Sequence, residues 1–280
     1  MVCRVDWPGA EIAAQEVNSP LPPVERCQSD GLAWYRFPQV SDKVEHALLT
    51  RLGGVSSGSL AALNLGSTVG DDPAAVAENY RRIFSAFGLQ REMVVTPFQV
   101  HGNHVVRVGP EEGGSVIQET DALITNSPEV ALLMRFADCA PVLFFDRVHH
   151  AVGLAHAGWR GVAVGVIPAT VQAMSAAFGT HPEDLWAGIG PAIGPHHYEV
   201  GAEVIDAIRA VVPPQTVFAE MHHNRMFLDL PAAITAQLHA AGVMTVIPSQ
   251  LDTAARLDEW YSHRAERGRT GRFGVLMRLR

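Results

Sequence analysis

The chain has 280 residues, of which 48% are hydrophobic and 18% charged, a composition typical of one or two globular domains. Its formal net charge of −8 argues against a protein whose main task is to hold nucleic acid. The first residues lack an apolar stretch of signal-peptide length, and polar residues and Pro168 interrupt the uncharged segment 161–182. We therefore expect a cytoplasmic protein that binds neither nucleic acid nor a membrane.

Residues 1–30 are rich in proline and polar side chains and show no hydrophobic periodicity. This pattern predicts an N-terminal extension, followed by a single domain over residues 31–280. Short strands are predicted at 34–37 and 46–49, and a glycine-rich loop that begins at Arg51 follows them. The loop is either an irregular surface connection or a segment that approaches an anionic ligand, with Arg51 supplying positive charge.

A helix is predicted to begin at Pro73, because Asp72 is a favourable N-cap and proline is favoured in the first turn. Apolar spacing predicts one long buried helix over 162–178, another over 204–212, and a third that begins at Pro231. Strands are predicted at 94–100, 103–108, 121–125, 131–136, 185–189, 227–230, 243–247, 260–263 and 273–279. This irregular alternation favours an α+β fold, a single domain of mixed β-sheets with flanking helices.

The segment 137–161 predicts a β-hairpin, because apolar runs at 141–145 and 151–155 flank a short polar corner. Cys139 stands just before the first strand and His156 just after the second. Since the two ends of a hairpin lie side by side, the thiol and the imidazole are brought together. Such a pair is either half of a metal site or a nucleophile with its base.

A third ligand would complete a catalytic zinc site, which often has three protein ligands and one open position. His101 ends a strand beside a glycine, but spacing alone does not select it among the 13 histidines. The alternative is a metal-free cysteine hydrolase, with Cys139 as nucleophile, His156 as base and His101 in support. Near the C-terminus, a basic turn is either solvated or faces phosphate; its arginines are Arg264, Arg267, Arg269 and Arg272.

The chain contains the segments FQVHGNHV, DALIT, ADCAPVLFFD, GLAHAGWRG, IGPAIGPHHYEVG and YSHRAERGRTGR. In this order they resemble the polyphenol oxidase, or laccase-domain, family, also described as the YfiH-type purine nucleoside phosphorylases. The resemblance extends over residues 46–280. It implies a fold related to the catalytic domain of cytotoxic necrotizing factor.

The resemblance also implies an activity. Members of the family use zinc for phosphorolysis of adenosine, inosine, guanosine and methylthioadenosine, and they deaminate adenosine. The implied substrates are therefore purine nucleosides and phosphate. Some bacterial members are linked instead to peptidoglycan-precursor editing, which remains an alternative, as does a non-catalytic partner of another enzyme.

Residue by residue, the resemblance implies zinc ligands at His101, Cys139 and His156, which also serve catalysis. Asp138 adjoins Cys139 and is expected to carry a proton or to position a neighbouring group. Substrate contacts are expected from four further residues: Arg51, Asn64, Arg160 and Arg264.

The older copper-oxidase description of the family is disfavoured, because several coppers need a histidine-rich set and this chain has one such cysteine and no His-x-His pair. The chain departs from the family pattern at three places. His196 stands where a cysteine is frequent, Ile234 replaces an asparagine, and no cysteine occurs near residue 250. These changes put substrate choice in doubt, and the sequence predicts no oligomeric state.

Overall fold

The computed structural model describes residues 2–4 and 23–280. Its strands are β1 (Val2–Arg4), β2 (Glu25–Ser29), β3 (Leu32–Arg36), β4 (Val44–Leu49), β5 (Val94–Pro97), β6 (Val105–Arg107), β7 (Val116–Ile117), β8 (Ala122–Thr125), β9 (Ala131–Phe136), β10 (Ala140–Asp146), β11 (Ala151–Ala157), β12 (Leu185–Ile189), β13 (Glu199–Val200), β14 (Ala219–His222), β15 (Arg225–Leu228), β16 (Thr245–Pro248) and β17 (Phe273–Leu279). Its α-helices are α1 (Pro73–Ala86), α2 (Trp159–Ala163), α3 (Val166–Phe178), α4 (Ala202–Arg209) and α5 (Leu230–Ala240).

Two mixed sheets form the body of the fold. The large sheet has the strand order β1-β2-β3-β4-β17-β9-β5-β7, and the second sheet has the order β16-β12-β10-β11-β8-β6. Parallel pairs lie toward the edges, at β5–β9, β5–β7, β12–β16 and β6–β8. A small antiparallel sheet, β13-β15-β14, completes the described part. The predicted single-domain α+β fold with mixed sheets is confirmed.

The two main sheets pack face to face. Side chains alternate along a strand, so Leu132, Met134 and Phe136 of β9 point toward Val152 and Leu154 of β11 in the core between the sheets. Helices α2 to α5 cover the outer face of the second sheet, and α1 covers the outer face of the large sheet. Strands β10 and β11 are buried along their whole length because they lie at the centre of this layered arrangement.

The predicted hairpin and the first helix are confirmed. Strands β10 and β11 pair from Ala140 opposite Ala157 to Asp146 opposite Ala151, and each is two residues longer than predicted. His156 therefore lies within β11 rather than just after it, because the pairing with β10 continues through it. The Asp72 side chain accepts a hydrogen bond from the Ala74 N–H at 2.9 Å, which caps α1.

The prediction of one long helix over 162–178 is wrong, because the chain forms two helices, α2 and α3. Gly165 separates them with φ 87°, a left-handed conformation that ends the first helix before the second begins. Helix α3 has 13 residues. In the part of the chain that the structure describes, no helix is both long and apolar enough to cross a bilayer.

The predicted strand at 260–263 is also wrong. Trp260 and Tyr261 are fully buried, but the segment is irregular rather than paired in a sheet. Trp260 packs edge-on against Phe273, with ring centroids 5.0 Å apart. The apolar pattern of this segment arises because its aromatic side chains pack into the core between the sheets. An irregular segment can bury such side chains as well as a strand can.

Part of the predicted N-terminal extension lies in the large sheet. Residues 25–29 form β2, which pairs antiparallel with β3, and Cys27 is buried in the core under α1. Cys27 is the one fully buried residue of β2, so the strand carries almost no apolar periodicity. Residue 1 and residues 5–22 of the predicted extension lie outside the described residues.

His46 of β4 is a buried histidine that serves the fold. Its Nε2 accepts the Phe37 N–H at 2.8 Å and its Nδ1 lies 3.1 Å from the Val44 carbonyl oxygen. Burial lowers the pKa of His46 to about 4, although the bond to Val44 opposes this shift. The neutral ring is therefore the folded form at neutral pH.

We predict that protonation of His46 destabilises the protein in acid. Its folded pKa lies below the unfolded value, so its contribution is complete above about pH 6.5 and is lost as the pH falls toward about 4. Between about pH 6.5 and 4.5 the linkage amounts to roughly 2–3 kcal/mol. Denaturant unfolding of wild type and His46→Gln should show a smaller acid loss of unfolding free energy in the variant. Equal losses would contradict the assignment.

Candidate metal and anion site

His101, Cys139 and His156 meet at one end of the core between the sheets. His156 follows Val152 and Leu154 on the inner face of β11, Cys139 directly precedes β10, and His101 lies in the turn after β5. One ligand atom from each of the three lies within 4.8 Å of the others. The rings of His101 and His156 meet edge to face, with centroids 4.9 Å apart. The structure thus joins His101 to the Cys–His pair that the hairpin predicts.

A buried carboxylate, Asp121, holds both histidines in place. Its Oδ1 accepts the His156 Nδ1–H at 2.8 Å and the His101 backbone N–H at 3.0 Å. Its Oδ2 accepts the N–H groups of Val100 and Gly102, at 3.1 and 2.7 Å. Nε2 is therefore the ring nitrogen of His156 that remains for the site. A carboxylate behind a histidine is the usual partner of a metal-binding imidazole.

Asp121 is a functional residue that was not expected from the sequence, although the sequence contains a signal for it. It is the charged residue directly before a fully buried strand, at the start of DALIT. A fully buried carboxylate in this position requires several donors, since an unpaired buried charge is strongly unfavourable.

The charges of the three groups are coupled. Burial raises the pKa of the Cys139 thiol, but the charge of His156 and hydrogen bonds with His101 and His156 outweigh this and lower it to about 6. Burial lowers the pKa of His156, but Cys139 and Asp121 outweigh this and raise it to about 9. These shifts favour the Cys139 thiolate, which is the form that binds a metal or attacks an electrophile. A metal ion bound there would displace the Nε2 proton of His156, because only the neutral imidazole is a ligand.

The absence of a side chain at Gly158 makes room for the trio. A Cβ atom at this position would lie 2.7 Å from Cys139 Sγ and 3.3 Å from His101 Cδ2. His101 itself has φ 62°, in the left-handed region that is uncommon for residues other than glycine. Two imidazole nitrogens and one thiolate, with a carboxylate behind one ring, are a donor set that fits a metal ion.

A cavity of about 690 Å³ opens above the trio. Its walls include the aromatic residues Phe98, Phe136, Trp159 and Tyr198. Four arginines also line it: Arg135, Arg160, Arg264 and Arg272. Among the residues that the structure describes, none of the four forms an ion pair with a carboxylate.

Backbone carbonyl groups hold three of these guanidinium groups. Arg135 Nη2 donates to the Pro97 oxygen at 2.8 Å, and Arg272 Nη1 donates to the Gly271 oxygen at 2.8 Å. Arg264 Nη1 donates to a backbone oxygen at 2.5 Å. A carbonyl fixes the orientation of a guanidinium without cancelling its charge, so the cavity is prepared for an anion.

Arg160 and Arg264 line the cavity, where the resemblance places them. Arg135 and Arg272 are not among the substrate contacts expected from the sequence, and Arg272 is expected only in a basic turn. A signal for Arg135 exists, because it is the single charged side chain in the otherwise apolar strand β9. The position of Arg272 could not be predicted from the sequence. It directly precedes β17, and the pairing of β17 between β4 and β9 brings Arg272 to the cavity.

Arg51 and Asn64 do not line this cavity, and their expected contact with substrate stays a prediction. Arg51 Nε donates to the Ala61 oxygen at 2.8 Å, and its Nη1 lies 3.1 Å from Glu266 Oε1. Asn64 is fully buried and its Oδ1 accepts the Arg272 backbone N–H at 2.8 Å. Both residues therefore shape the walls of the cavity from behind.

Asp138 is engaged on both carboxylate oxygens. Oδ1 accepts the Thr253 hydroxyl at 2.7 Å, and Oδ2 accepts the Arg264 backbone N–H at 2.6 Å. Of the two expected roles, proton carrier and positioning partner, this geometry favours positioning, because Asp138 ties the Arg264 segment to the residue next to Cys139.

Two of the three departures from the family pattern line a separate cavity of about 570 Å³. His196 lies in its wall, as does Gln250 of the segment near residue 250 that lacks a cysteine, and the cavity shares no lining residue with the cavity above the trio. Ile234 is fully buried in the core behind it. The departures therefore lie outside the cavity that contains the trio and its arginines.

Residues 45–280 match a family described as multi-copper polyphenol oxidoreductase laccase. The chain belongs to this family. A Geobacillus stearothermophilus protein named purine nucleoside phosphorylase YlmD is 37% identical, over 88% of this chain and 94% of the relative. Purine nucleoside phosphorylase YfiH of Escherichia coli is 36% identical, over 82% of this chain and 91% of the relative.

Solved structures of laccase-family proteins agree with the fold. The crystal structure of YlmD from Geobacillus stearothermophilus superposes with a TM-score of 0.88 at 33% identity, over 92% of this chain and 100% of that chain. The Bacillus licheniformis protein YfiH gives a TM-score of 0.86 at 30% identity, over 92% and 99% of the two chains. The resemblance seen in the sequence is thereby confirmed.

We predict that Asp121→Asn weakens metal retention in this laccase-family protein by about 10- to 100-fold, because an amide cannot replace a carboxylate behind His156. Competition with a chelator followed by elemental analysis measures the change. Asp146→Asn is a matched control, since Asp146 is equally buried and bonds His149 Nδ1 at 2.9 Å at the opposite end of the hairpin. Unchanged retention in Asp121→Asn would contradict the role.

Proposed function

We propose that this protein is a zinc-dependent purine nucleoside phosphorylase. One observation carries the proposal: a His–Cys–His trio opens into a cavity that holds four arginines, none of which has a carboxylate partner within residues 2–4 and 23–280. Phosphorolysis needs an anion receptor beside a group that stabilises the departing base, and this cavity supplies both. The names of the relatives, purine nucleoside phosphorylase in each case, support the reaction class.

Arg160, Arg264 and Arg272, which line this cavity alone, bind the phosphate and orient it toward the ribose. A phosphate oxygen forms the new bond to C1′ as the N-glycosidic bond breaks, and the purine leaves with the electron pair and takes up a proton. Fixed guanidinium groups hold the phosphate anion in place without reorganising, and the bound anion stabilises the positive charge that develops on the ribose. Phe98, which is 47% exposed, and Tyr198 offer ring faces to the purine.

The hydroxyl group of Tyr198 stays protonated at neutral pH. Burial and the charge of Cys139 raise its pKa, although Arg264, whose guanidinium lies 5.0 Å from the ring centroid, opposes the shift. Its hydroxyl is therefore a hydrogen-bond donor for a purine nitrogen.

Zinc is the proposed metal because thiolate and imidazole together suit it better than magnesium or calcium. When bound at His101, Cys139 and His156, it supplies a Lewis acid that polarises a substrate oxygen or a water molecule. We propose adenosine deamination as a side activity, in which water adds at C6 and ammonia leaves. Adenosine, inosine, guanosine and methylthioadenosine are the proposed substrates.

The multicopper activity in the family description finds little support in this site. Among the described residues, one group of three histidine, cysteine or acidic side chains is placed to hold a metal. Several coppers require further histidine-rich groups.

Four expectations stay predictions from the sequence. They are peptidoglycan-precursor editing, a cytoplasmic location, a fold relation to cytotoxic necrotizing factor and the boundary of an extension at residue 30.

A metal-free cysteine hydrolase is the second candidate, and one observation favours it. Cys139, His156 and Asp121 form a chain of thiolate, imidazole and carboxylate, which is the order of a nucleophile, its base and the group that orients the base. Turnover by the isolated chain would separate both enzymatic candidates from a non-catalytic partner of another enzyme.

We predict that base release from the four nucleosides depends on inorganic phosphate and yields the sugar 1-phosphate. Chromatography of base and sugar products, with and without phosphate, measures this. Arg264→Gln should raise the KM for phosphate by about ten-fold or more, because it removes one charged donor. Arg209→Gln, at an exposed pair with Asp206, is the matched control. Base release that ignores phosphate would contradict phosphorolysis.

The reactivity of Cys139 separates the two enzymatic candidates. If Cys139 binds zinc, alkylation by iodoacetamide is slow until a chelator removes the metal, because the thiolate is occupied. Cys139→Ser, His101→Ala and His156→Ala should each lower the zinc content of the purified protein. Rapid alkylation without chelator, with unchanged zinc content in all three variants, would support the metal-free hydrolase instead. Peptide mass spectrometry identifies the labelled residue.

A further inference from the structure

A second cavity adjoins the cavity above the trio, which we call the reaction cavity. It has a volume of about 630 Å³ and lies between α1, strand β5 and the segment 114–116. We call it the α1 groove. The two cavities share two wall residues, Ser67 and Arg135. Ser67 is exposed and Arg135 is half-buried. The boundary between the two cavities is therefore formed by these two residues and not by the hydrophobic core.

Arg135 lies at the passage between the two cavities. It shares with Leu133 the face of β9 that is turned toward α1, whereas Phe136 faces the core between the sheets. Its guanidinium is held by the Pro97 oxygen and also interacts with the Tyr80 hydroxyl of α1. The group is thus oriented at the junction while its charge remains available to an anion.

The α1 groove itself is mainly apolar and aromatic. Tyr80 and Phe84 are one helical turn apart, with ring centroids separated by 5.9 Å. Val116 also lines the groove and is 49% exposed, although it is apolar. At the rim, Arg81 is paired with Glu78 at 2.6 Å. A groove of this size and lining suits a flat ring beside an anionic group at Arg135.

We propose that the preferred substrate is longer than a nucleoside: a purine nucleoside whose ribose carries a phosphodiester to a second aromatic ring. The phosphodiester lies at Arg135, and the second ring lies against Tyr80 and Phe84. This inference rests on the proposed function, because it places the purine and ribose in the reaction cavity. A simple nucleoside does not reach the groove beyond Arg135.

The test compares three probes: adenosine, adenosine 5′-monophosphate and the phenyl ester of adenosine 5′-monophosphate. Adenine release in the presence of phosphate gives kcat/KM for each, with the full-length protein. Val116→Glu places a negative charge in the α1 groove at an exposed position, so it does not disturb the core. Val148→Glu is the matched control, since Val148 is 59% exposed and lines neither cavity.

We expect the phenyl ester to show a kcat/KM about ten-fold above that of the monophosphate, since its added ring stacks in the groove. Val116→Glu should remove this gain and leave adenosine turnover as in wild type, whereas Val148→Glu should keep it. A phenyl ester no better than the monophosphate in wild type would overturn the inference. An equal loss for all three probes in Val116→Glu would do the same.

Failure of the proposed function gives a different result. If none of the probes releases adenine, phosphorolysis is wrong, and calorimetric titration of the same probes then tests the groove directly. Tighter binding of the phenyl ester than of the monophosphate, lost in Val116→Glu but not in Val148→Glu, supports the groove. Equal binding of the two overturns it.

Discussion

The site depends on one buried carboxylate. Asp121 stands directly before β8 and accepts four hydrogen bonds, one from the His156 ring and three from the backbone of the turn that carries His101. Without these donors, a fully buried carboxylate would be strongly unfavourable, so the turn and the β11 strand end must meet at this point. The same contact orients one histidine and places the other, which leaves Cys139 to complete the trio.

The charge of the site is opposite in sign to the net charge of the chain. The chain has a formal net charge of −8, yet its reaction cavity gathers four arginines that lack carboxylate partners among the described residues. Asp138, an acid in the cavity wall, is satisfied by Thr253 and by the Arg264 backbone. An anion therefore meets fixed positive charge in a partly buried site, where electrostatic interactions are stronger than at the surface.

The layered fold explains why the site lies where it does. Strands β10 and β11 are buried on both faces, so polar side chains are accommodated only where the core between the sheets ends. His156 is the inward-facing residue that follows Leu154, and the Phe136 ring closes the core beneath it at a centroid distance of 5.5 Å. Chemistry is thus placed at the open end of a rigid sandwich, with loops from both sheets around it.

The sequence by itself determined the hairpin, the Cys139–His156 pair and the α+β class, because these follow from local periodicity and from neighbouring strands. Family motifs added His101, Arg160 and Arg264. Only the tertiary structure decided the rest, because it joins residues distant in the chain. Asp121 acts through backbone groups of a separate turn, Arg135 reaches the cavity around the end of β9, and Arg51 and Asn64 are engaged elsewhere by their own hydrogen bonds. Side-chain type predicts the chemistry available, whereas the packing of the sheets fixes which groups meet.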